Sequence, residues 1–435
     1  MDRTSLAATN ALVLYHETQT FTLNVYEHLN SLSKFSESRV FFAHQSLKKP
    51  VTDLALFDIV IIHYSIRLPF DQVAEETARA LEAFHGLKVL FIQDEYDHTH
   101  RAWHWIKRLG IKLVFSSVPQ PSMAKVYPPS EFPGVRFVSN LTGFAPEALA
   151  AVPPYSPPSQ RPLKIGYRGR ALPIRYGALG QDKIDVGRIV RAYCEAKGIA
   201  HDIDWEEKSR LYGDAWYAFI GSCRAVLGSE SGSNVFDWDG TLNSKIAGFK
   251  HQHPRASDQD VYAGVIAPLE QPGLMNQVSP RVFEAIACRT PLILFDGDYS
   301  GVVLPGRHFI PLRRDGSNLD EIVAILRDDK AVDAMAERAY ADVLASGRYG
   351  HVAFVQMVDE EIAAARQRHG LFARVRPQPP SATTRPLETR SWPKQHTIEP
   401  ETAVLSLFRF VLPLLPRGLK DFVKRIVKPL VTPPE

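Results

Sequence analysis

Arg281 and Glu284 stand three residues apart within 276–301, NQVSPRVFEAIACRTPLILFDGDYSG, a spacing that puts a guanidinium and a carboxylate on one helix face. Such a pair suits a ligand carrying both an anionic group and vicinal hydroxyls, because a carboxylate can accept two hydroxyl hydrogen bonds at once. A second group sits in IGYRGR, residues 165–170. Glycine there lets backbone N–H groups approach a phosphate, and the guanidinium forks of Arg168 and Arg170 match its oxygens. The same arginines also read as plain surface charge beside a strand end. A third group, QDEYDHTH at 93–100, gathers Asp94, Glu95, Asp97, His98 and His100. An acid or histidine there could take a proton from a hydroxyl. The competing readings are a helix N-terminus dressed with acids to suit the macrodipole, or a weak metal signal. No metal site is expected.

The elements that must position these groups follow from periodicity. Ser279 is a good N-cap and Pro280 a good first helical residue, with Val282, Phe283, Ile286 and Ala287 as one apolar stripe. Thr290 and Pro291 end this helix, and Leu292, Ile293, Leu294 and Phe295 read as a buried strand whose following loop opens at a sheet's carboxyl edge. Upstream, strands are predicted at 11–15, 39–43, 58–64, 88–93, 112–116 and 135–139, with helical patterns at 70–84 and 99–109. Alternation of this kind gives a parallel sheet with helices on both faces. Residues 1–151 therefore read as a Rossmann-like domain, although no GxGxxG follows its first strand. A nicotinamide or flavin cofactor is disfavoured.

VPPYSPPSQRP, 152–162, is proline-dense and predicts a stiff linker. Alternation restarts after it: strands at 163–167, 202–205, 223–228, 292–295 and 308–312, helices at 182–197, 209–220, 319–327 and 330–345. These make residues 163–368 a second Rossmann-like domain. Residues 231–275 fit no simple strand-helix unit and read as an insertion. Residues 369–403 are rich in proline, serine, threonine and charge and predict a flexible linker. The stretch 404–431 regains apolar stripes edged with Arg409, Arg417, Lys420, Lys424, Arg425 and Lys428. It reads as an amphipathic tail for an anionic membrane surface, or as helices that fold back on the first domain.

Composition narrows the partners. The chain has 435 residues, 45% of them apolar, enough for two cores, and its 51 basic against 48 acidic residues leave only +3. So small a bias disfavours nucleic acid. Three widely spaced cysteines with no CxxC argue against a disulfide or zinc framework and for a reducing compartment. No signal segment or spanning run of ~20 apolar residues is found. A cytoplasmic protein is expected, peripheral on the inner face of the membrane if the tail binds it.

The second domain resembles the donor-binding half of GT-B glycosyltransferases. Val282 to Ile293, VFEAIACRTPLI, matches the family's donor-site helix and strand, and the opening Ser279-Pro280-Arg281 is similar to members whose helix begins SPRxFEA. The resemblance implies two Rossmann-like domains with a cleft between them. It also implies that Glu284 holds the ribose hydroxyls of a nucleotide-sugar donor, and that the loop bearing Gly166, Arg168 and Arg170 approaches its phosphates. The family's earlier glutamate falls at Asn276, and Glu230 is the expected stand-in. Arg289 replaces the usual glycine after the helix, so a different cap is expected, one without a left-handed residue. Asp237-Trp238-Asp239 has a metal-binding spelling but falls in the insertion.

The expected activity is transfer of a sugar from a nucleotide sugar to a saccharide or lipid-linked acceptor in surface polysaccharide synthesis, with no cofactor besides the donor substrate. Arg168 would stabilise the departing diphosphate. Asp94 or His98 would be the base of an inverting enzyme; in a retaining one they would only orient the acceptor, and His16 and His63 are weaker candidates. A sugar-nucleotide epimerase and a non-catalytic sugar-nucleotide binder are the alternatives.

Overall fold

The computed structural model describes residues 9–16, 23–44, 53–147 and 155–371. The stretch 404–431 and nearly all of 369–403 lie outside the described residues.

Short β-branched and aromatic runs form two parallel sheets. The first contains β1 (Asn10–Tyr15), β2 (Arg39–His44), β3 (Ile59–Ile62), β4 (Leu87–Ile92), β5 (Leu113–Ser116) and β6 (Arg136–Ser139), in the order β2-β1-β3-β4-β5-β6. All four residues of β3, Ile-Val-Ile-Ile, are buried, as a strand covered by helices on both faces requires. The second contains β7 (Lys164–Arg168), β8 (Ala200–Asp204), β9 (Ala225–Gly228), β10 (Leu292–Phe295) and β11 (Phe309–Leu312), in the order β11-β10-β9-β7-β8. Every strand pair is parallel. Each order reverses once, between β1 and β3 and between β7 and β9. Ligands of open α/β sheets bind beyond the carboxyl ends of strands at such reversals.

Helices α1 (Leu23–Phe35), α2 (Glu75–Ala83) and α3 (Thr99–Leu109) accompany the first sheet. The second has α4 (Gly177–Lys197), α5 (Gly213–Ser222), α6 (Leu242–Gln252), α7 (Pro280–Ala287), α8 (Leu319–Arg327) and α9 (Asp329–Ala339). Helix α4 starts at Gly177 instead of 182, since nothing between those positions stops a helix growing back from its apolar stripe. No helix among the described residues is long and apolar enough to cross a membrane.

Three segments belong elsewhere than periodicity suggested. Helix α10 (His351–Arg368) leaves the second sheet and packs Phe354, Val355, Val358, Ile362 and Ala365 with Leu29 and Leu32 of α1 in the core of the first. Asp359 fixes it, accepting from Ser36 Oγ and Glu37 N, each at 2.8 Å. Burial of each of the valine, isoleucine, leucine and phenylalanine side chains contributes about 1.5–3 kcal/mol, so the helix goes where its apolar stripe finds a partner.

The insertion 231–275 crosses over as well. Phe236, Leu274 and Met275 join the first lobe's core, and backbone bonds run from Asp237 N to Tyr96 O (2.8 Å) and from His100 N to Trp238 O (2.9 Å). The second half of the proline-rich linker is built into the second lobe. Tyr155 covers Gly221, and Ser159 donates to Asp333 through both N (2.9 Å) and Oγ (2.6 Å).

Candidate active site

Glu284 lies on α7, which Ser279 precedes with extended backbone and Pro280 opens; Ser279's side chain makes no capping bond. Helix α7 ends in a left-handed residue after all, Arg289 at φ 48°. The conformation costs about 1 kcal/mol outside glycine, and Arg289 is held there by Glu337 at 2.7 Å and by the Tyr340 ring 3.7 Å from its guanidinium. Buried Arg161 completes the cap, donating to the carbonyl of Cys288 (2.9 Å) and to Thr290 Oγ1 (2.7 Å).

The indole N–H of Trp216 on α5 donates to Glu284 Oε2 at 2.8 Å. Burial pushes the Glu284 carboxyl above its usual range, while the Trp216 hydrogen bond and the Arg281 charge pull it back. Trp216 stacks on Phe219 with centroids 5.8 Å apart, and both rings line a pocket at the β7/β9 reversal with Tyr167, Lys183, Ser229 and Arg281. Arg281 lines that pocket, and Glu284, one turn along the same helix, is tied to it through the lining residue Trp216.

Lys183 is the group that the sequence reading missed. On α4 it follows Leu179 by four residues and precedes Val186 and Val190 by three and seven, so it occupies a core register; a lysine in an apolar stripe was the available signal. Its Nζ donates to Ser231 Oγ at 3.1 Å. Burial first, then the neighbouring charge of Arg281, bring its ammonium down to about 8, with Asp94 acting in the opposite sense and Arg170 in the same one. Lys183 and Arg281 thus share the pocket lining, with the charge of Arg170 reaching Lys183, and among the described residues no carboxylate pairs with Lys183 or Arg281 within 4 Å.

Arg168, expected on the departing phosphate, is engaged within the fold. Its Nε donates to Ser209 O and Nη1 to the carbonyls of Tyr167 and Asp202, while Nη2 pairs with Asp202 at 2.8 Å. Its guanidinium also lies over the Phe219 ring at 4.3 Å. With four of its five donors engaged, it forms part of the pocket wall. Gly166 sits in mid-strand, where an added Cβ would come 2.4 Å from Cys223 Sγ; it serves helix packing, not phosphate approach. Gly169 is the close-approach glycine, with an added Cβ 2.8 Å from Lys183 O. Arg170 is exposed and near enough to Lys183 to influence it.

Glu230 is 5% exposed, with Oε1 accepting from Tyr299 N (2.9 Å) and Oε2 from Asn276 Nδ2 (2.6 Å). Both oxygens hold neighbouring chain, so Glu230 shapes the loop after β10 and makes no direct approach to the pocket.

From the first lobe, the charge of Asp94 acts on Lys183. Asp94 follows β4 in left-handed backbone (φ 58°), a conformation that non-glycine residues hold mainly where surrounding structure enforces it. Tyr96 OH donates to Oδ1 at 2.7 Å and Arg67 Nη2 lies 3.3 Å from Oδ2, leaving the carboxylate about half exposed. His98 points elsewhere: its ring packs on Phe70 at 5.5 Å, and the insertion covers Nδ1 so closely that a Cβ added to Gly240 would lie 2.3 Å away. Burial lowers its imidazolium stability. His63 is fully buried against His28 (3.1 Å) and Ser65 (2.9 Å) and held down to about 3, which removes it as a base near neutrality. His16 donates its backbone N–H to Ser65 Oγ.

The acidic spelling 237–239 fastens the lobes together. Asp237 pairs with Arg175 at 3.1 Å, Arg175 also pairs with Asp97 at 2.7 Å, and Asp239 accepts from His100 at 2.6 Å. Among the described residues no group of three or more histidines, cysteines or acids is disposed around a metal position.

Residues 186–356 match the family described as glycosyl transferase-like. No curated protein matches the chain. Among solved structures, an α-glucosyltransferase bound to UDP and a 13-mer DNA superposes with TM-score 0.50 at 10% identity, over 82% of this chain and 99% of that one. HepE of Anabaena, in complex with UDP, gives TM-score 0.44 at 11% identity over 82% and 100%. A T4 phage β-glucosyltransferase gives 0.40 at 11% over 84% and 99%. Topology and superposition agree on the GT-B fold, and residues 186–356 of this chain match the glycosyl transferase-like family.

Proposed function

We propose that this protein transfers a sugar from a nucleotide sugar to a hydroxyl of a saccharide or lipid-linked acceptor. The observation that carries the reading is the meeting of Arg281 and Lys183 in the lining of one strand-order reversal, with Glu284 bonded to the lining residue Trp216. Glu284 accepts hydrogen bonds from the ribose hydroxyls. Lys183, Arg281 and Arg170 hold the diphosphate and stabilise the charge it gains as the bond to the anomeric carbon breaks. The acceptor oxygen bonds to that carbon on the face opposite the leaving diphosphate, inverting it, and Asp94 takes the acceptor's proton. Cations of the chain supply the charge neutralisation, without a metal.

A near-neutral chain favours a carbohydrate or lipid-linked acceptor over a polyanion. The basic amphipathic stretch 404–431 would bring the enzyme to the inner membrane surface, where lipid-linked intermediates of surface polysaccharides are built.

The test is release of nucleoside diphosphate from a panel of uridine and guanosine sugar nucleotides, with and without saccharide and lipid-linked acceptors. Acceptor-stimulated release with a new glycosidic product is expected. Interconversion of the donor sugar alone would mean an epimerase, and binding without either reaction would mean a sugar-nucleotide binder. Replacing Glu284 by Ala should weaken nucleotide binding about tenfold or more, the scale of hydrogen bonds to a charged group.

A further inference from the structure

The Glu284 carboxylate is long enough to take several rotamers, and a hydroxyl-recognising acid is useful only in one of them. In this protein the rotamer is set from a different helix. Trp216, half-buried on α5, has one polar atom and it can only donate; it does so to Glu284 Oε2 at 2.8 Å. Glu284 Oε1 has no hydrogen-bond partner among the described residues. Trp216 is itself fixed by its stack on Phe219 (5.8 Å, 20° between planes), and Phe219 carries Arg168 on its ring at 4.3 Å. Arg168 is anchored in turn to Asp202 and to the Ser209 carbonyl. Contact is therefore continuous from the carboxyl end of β7 to the acid on α7, which explains why an arginine engaged inside the fold still lines the pocket.

We propose that Trp216 is the positioning residue for ribose recognition, its indole N–H holding one oxygen of Glu284 so that the other is presented to the vicinal diol of the bound nucleotide. The inference rests on the assignment of Glu284 to the ribose. It adds a second function for the same bond: a donor to the ionised form offsets the burial that pushes the carboxyl up, keeping an acceptor-only carboxylate near neutral pH.

The experiment uses the full-length protein with UDP, 2′-deoxy-UDP, GDP and 2′-deoxy-GDP as probes, titrated calorimetrically from pH 5 to pH 8. Wild type should prefer the ribonucleotide of its base about fivefold or more, and Glu284→Ala should abolish that preference. Trp216→Phe keeps the stacking ring and removes the N–H. It should cut the preference at least about threefold, leave deoxynucleotide affinity within about twofold, and move the acid limb of ribonucleotide binding to higher pH. A mere packing role would lower thermal stability without moving preference or limb, and that result overturns the proposal.

A wild-type readout covers failure of Trp216→Phe to fold. In protein labelled with ¹⁵N-tryptophan, the indole resonance displaced by Glu284→Ala should shift along the acid limb of UDP or GDP binding; an indole signal indifferent to that titration also overturns it. Unchanged nucleotide affinity in Glu284→Ala would instead remove the ribose assignment itself, a failure distinct from that of Trp216.

Discussion

The side-chain amide of Asn276 donates to the carboxylate of Glu230 at 2.6 Å, joining two residues 46 positions apart. Asn276 occupies the position where the resembled family has its earlier glutamate. The acid arrives there from β9, and the insertion between the two residues returns the chain to meet it. Glu230 also accepts from Tyr299 N at 2.9 Å, so one carboxylate ties the approach to α7 to the loop after β10. A double-mutant cycle of Glu230→Ala and Asn276→Ala, read by urea unfolding, should give a coupling of about 1–2 kcal/mol. Additive effects would mean that the contact does not hold the two segments together.

Asp94 is a half-exposed acid of the first lobe whose charge acts on Lys183 of the second. Asp94→Asn should lower kcat by about 10²–10⁴ while nucleotide affinity stays near wild type, the pattern of a lost general base. Product anomeric configuration, read by NMR, should be inverted relative to the donor. Retention would remove Asp94 from the base role.

Lys183 has a folded-state value of about 8, below the ordinary lysine range. Between roughly pH 8 and 10.4 the unfolded chain binds the extra proton, so this lysine makes stability rise with pH across that window. Below about 8 both states are protonated and the cost of burying the ammonium is present in full. Lys183→Met should flatten the slope and weaken nucleoside diphosphate binding about tenfold or more. In wild type near pH 8–9, binding should be accompanied by proton uptake, visible calorimetrically as a dependence of heat on buffer ionisation.

His28, His63 and His351 are buried where α1, β3 and α10 meet, with His63 held down to about 3 and His351 to about 4, chiefly by burial. Their unfolded forms protonate near 6.5, so the unfolded state binds more protons as pH falls from there to about 3. Stability carried by the neutral imidazoles is present above 6.5 and lost progressively below it. His351→Phe should make the fall in melting temperature between pH 6.5 and 4 shallower; an unchanged slope would place the acid sensitivity elsewhere.

Arg175 lies between Asp97 of the first lobe and Asp237 of the insertion, its side chain 12% exposed. Arg175→Ala would leave both carboxylates without their shared cation and should destabilise by about 3–5 kcal/mol. Arg175→Met with Asp97→Asn and Asp237→Asn should recover much of that, because the uncompensated charge is then gone. Urea unfolding measures both.

The two sheets were legible in the sequence because buried parallel strands are short apolar runs whose identity depends on few neighbours. Ile59–Ile62 and Leu292–Phe295 declare themselves in that way. Arg281 and Glu284 were legible for a similar reason, since helical spacing alone puts them on one face. Residues whose task depends on a distant partner were not. Arg168 and Arg175 are both arginines beside second-lobe elements, yet one is bound to Asp202 and the other to acids 62 and 78 positions away. Nothing local distinguishes them. Lys183, Trp216 and the destination of α10 likewise became definite only when α4, α5 and the first sheet were packed in space. Periodicity records which face of a segment avoids water; it carries no record of the surface that face will meet. Local sequence therefore set the strands and the acid-cation pair on α7, and tertiary contacts chose the cations that stay available to a ligand and the indole that aims Glu284.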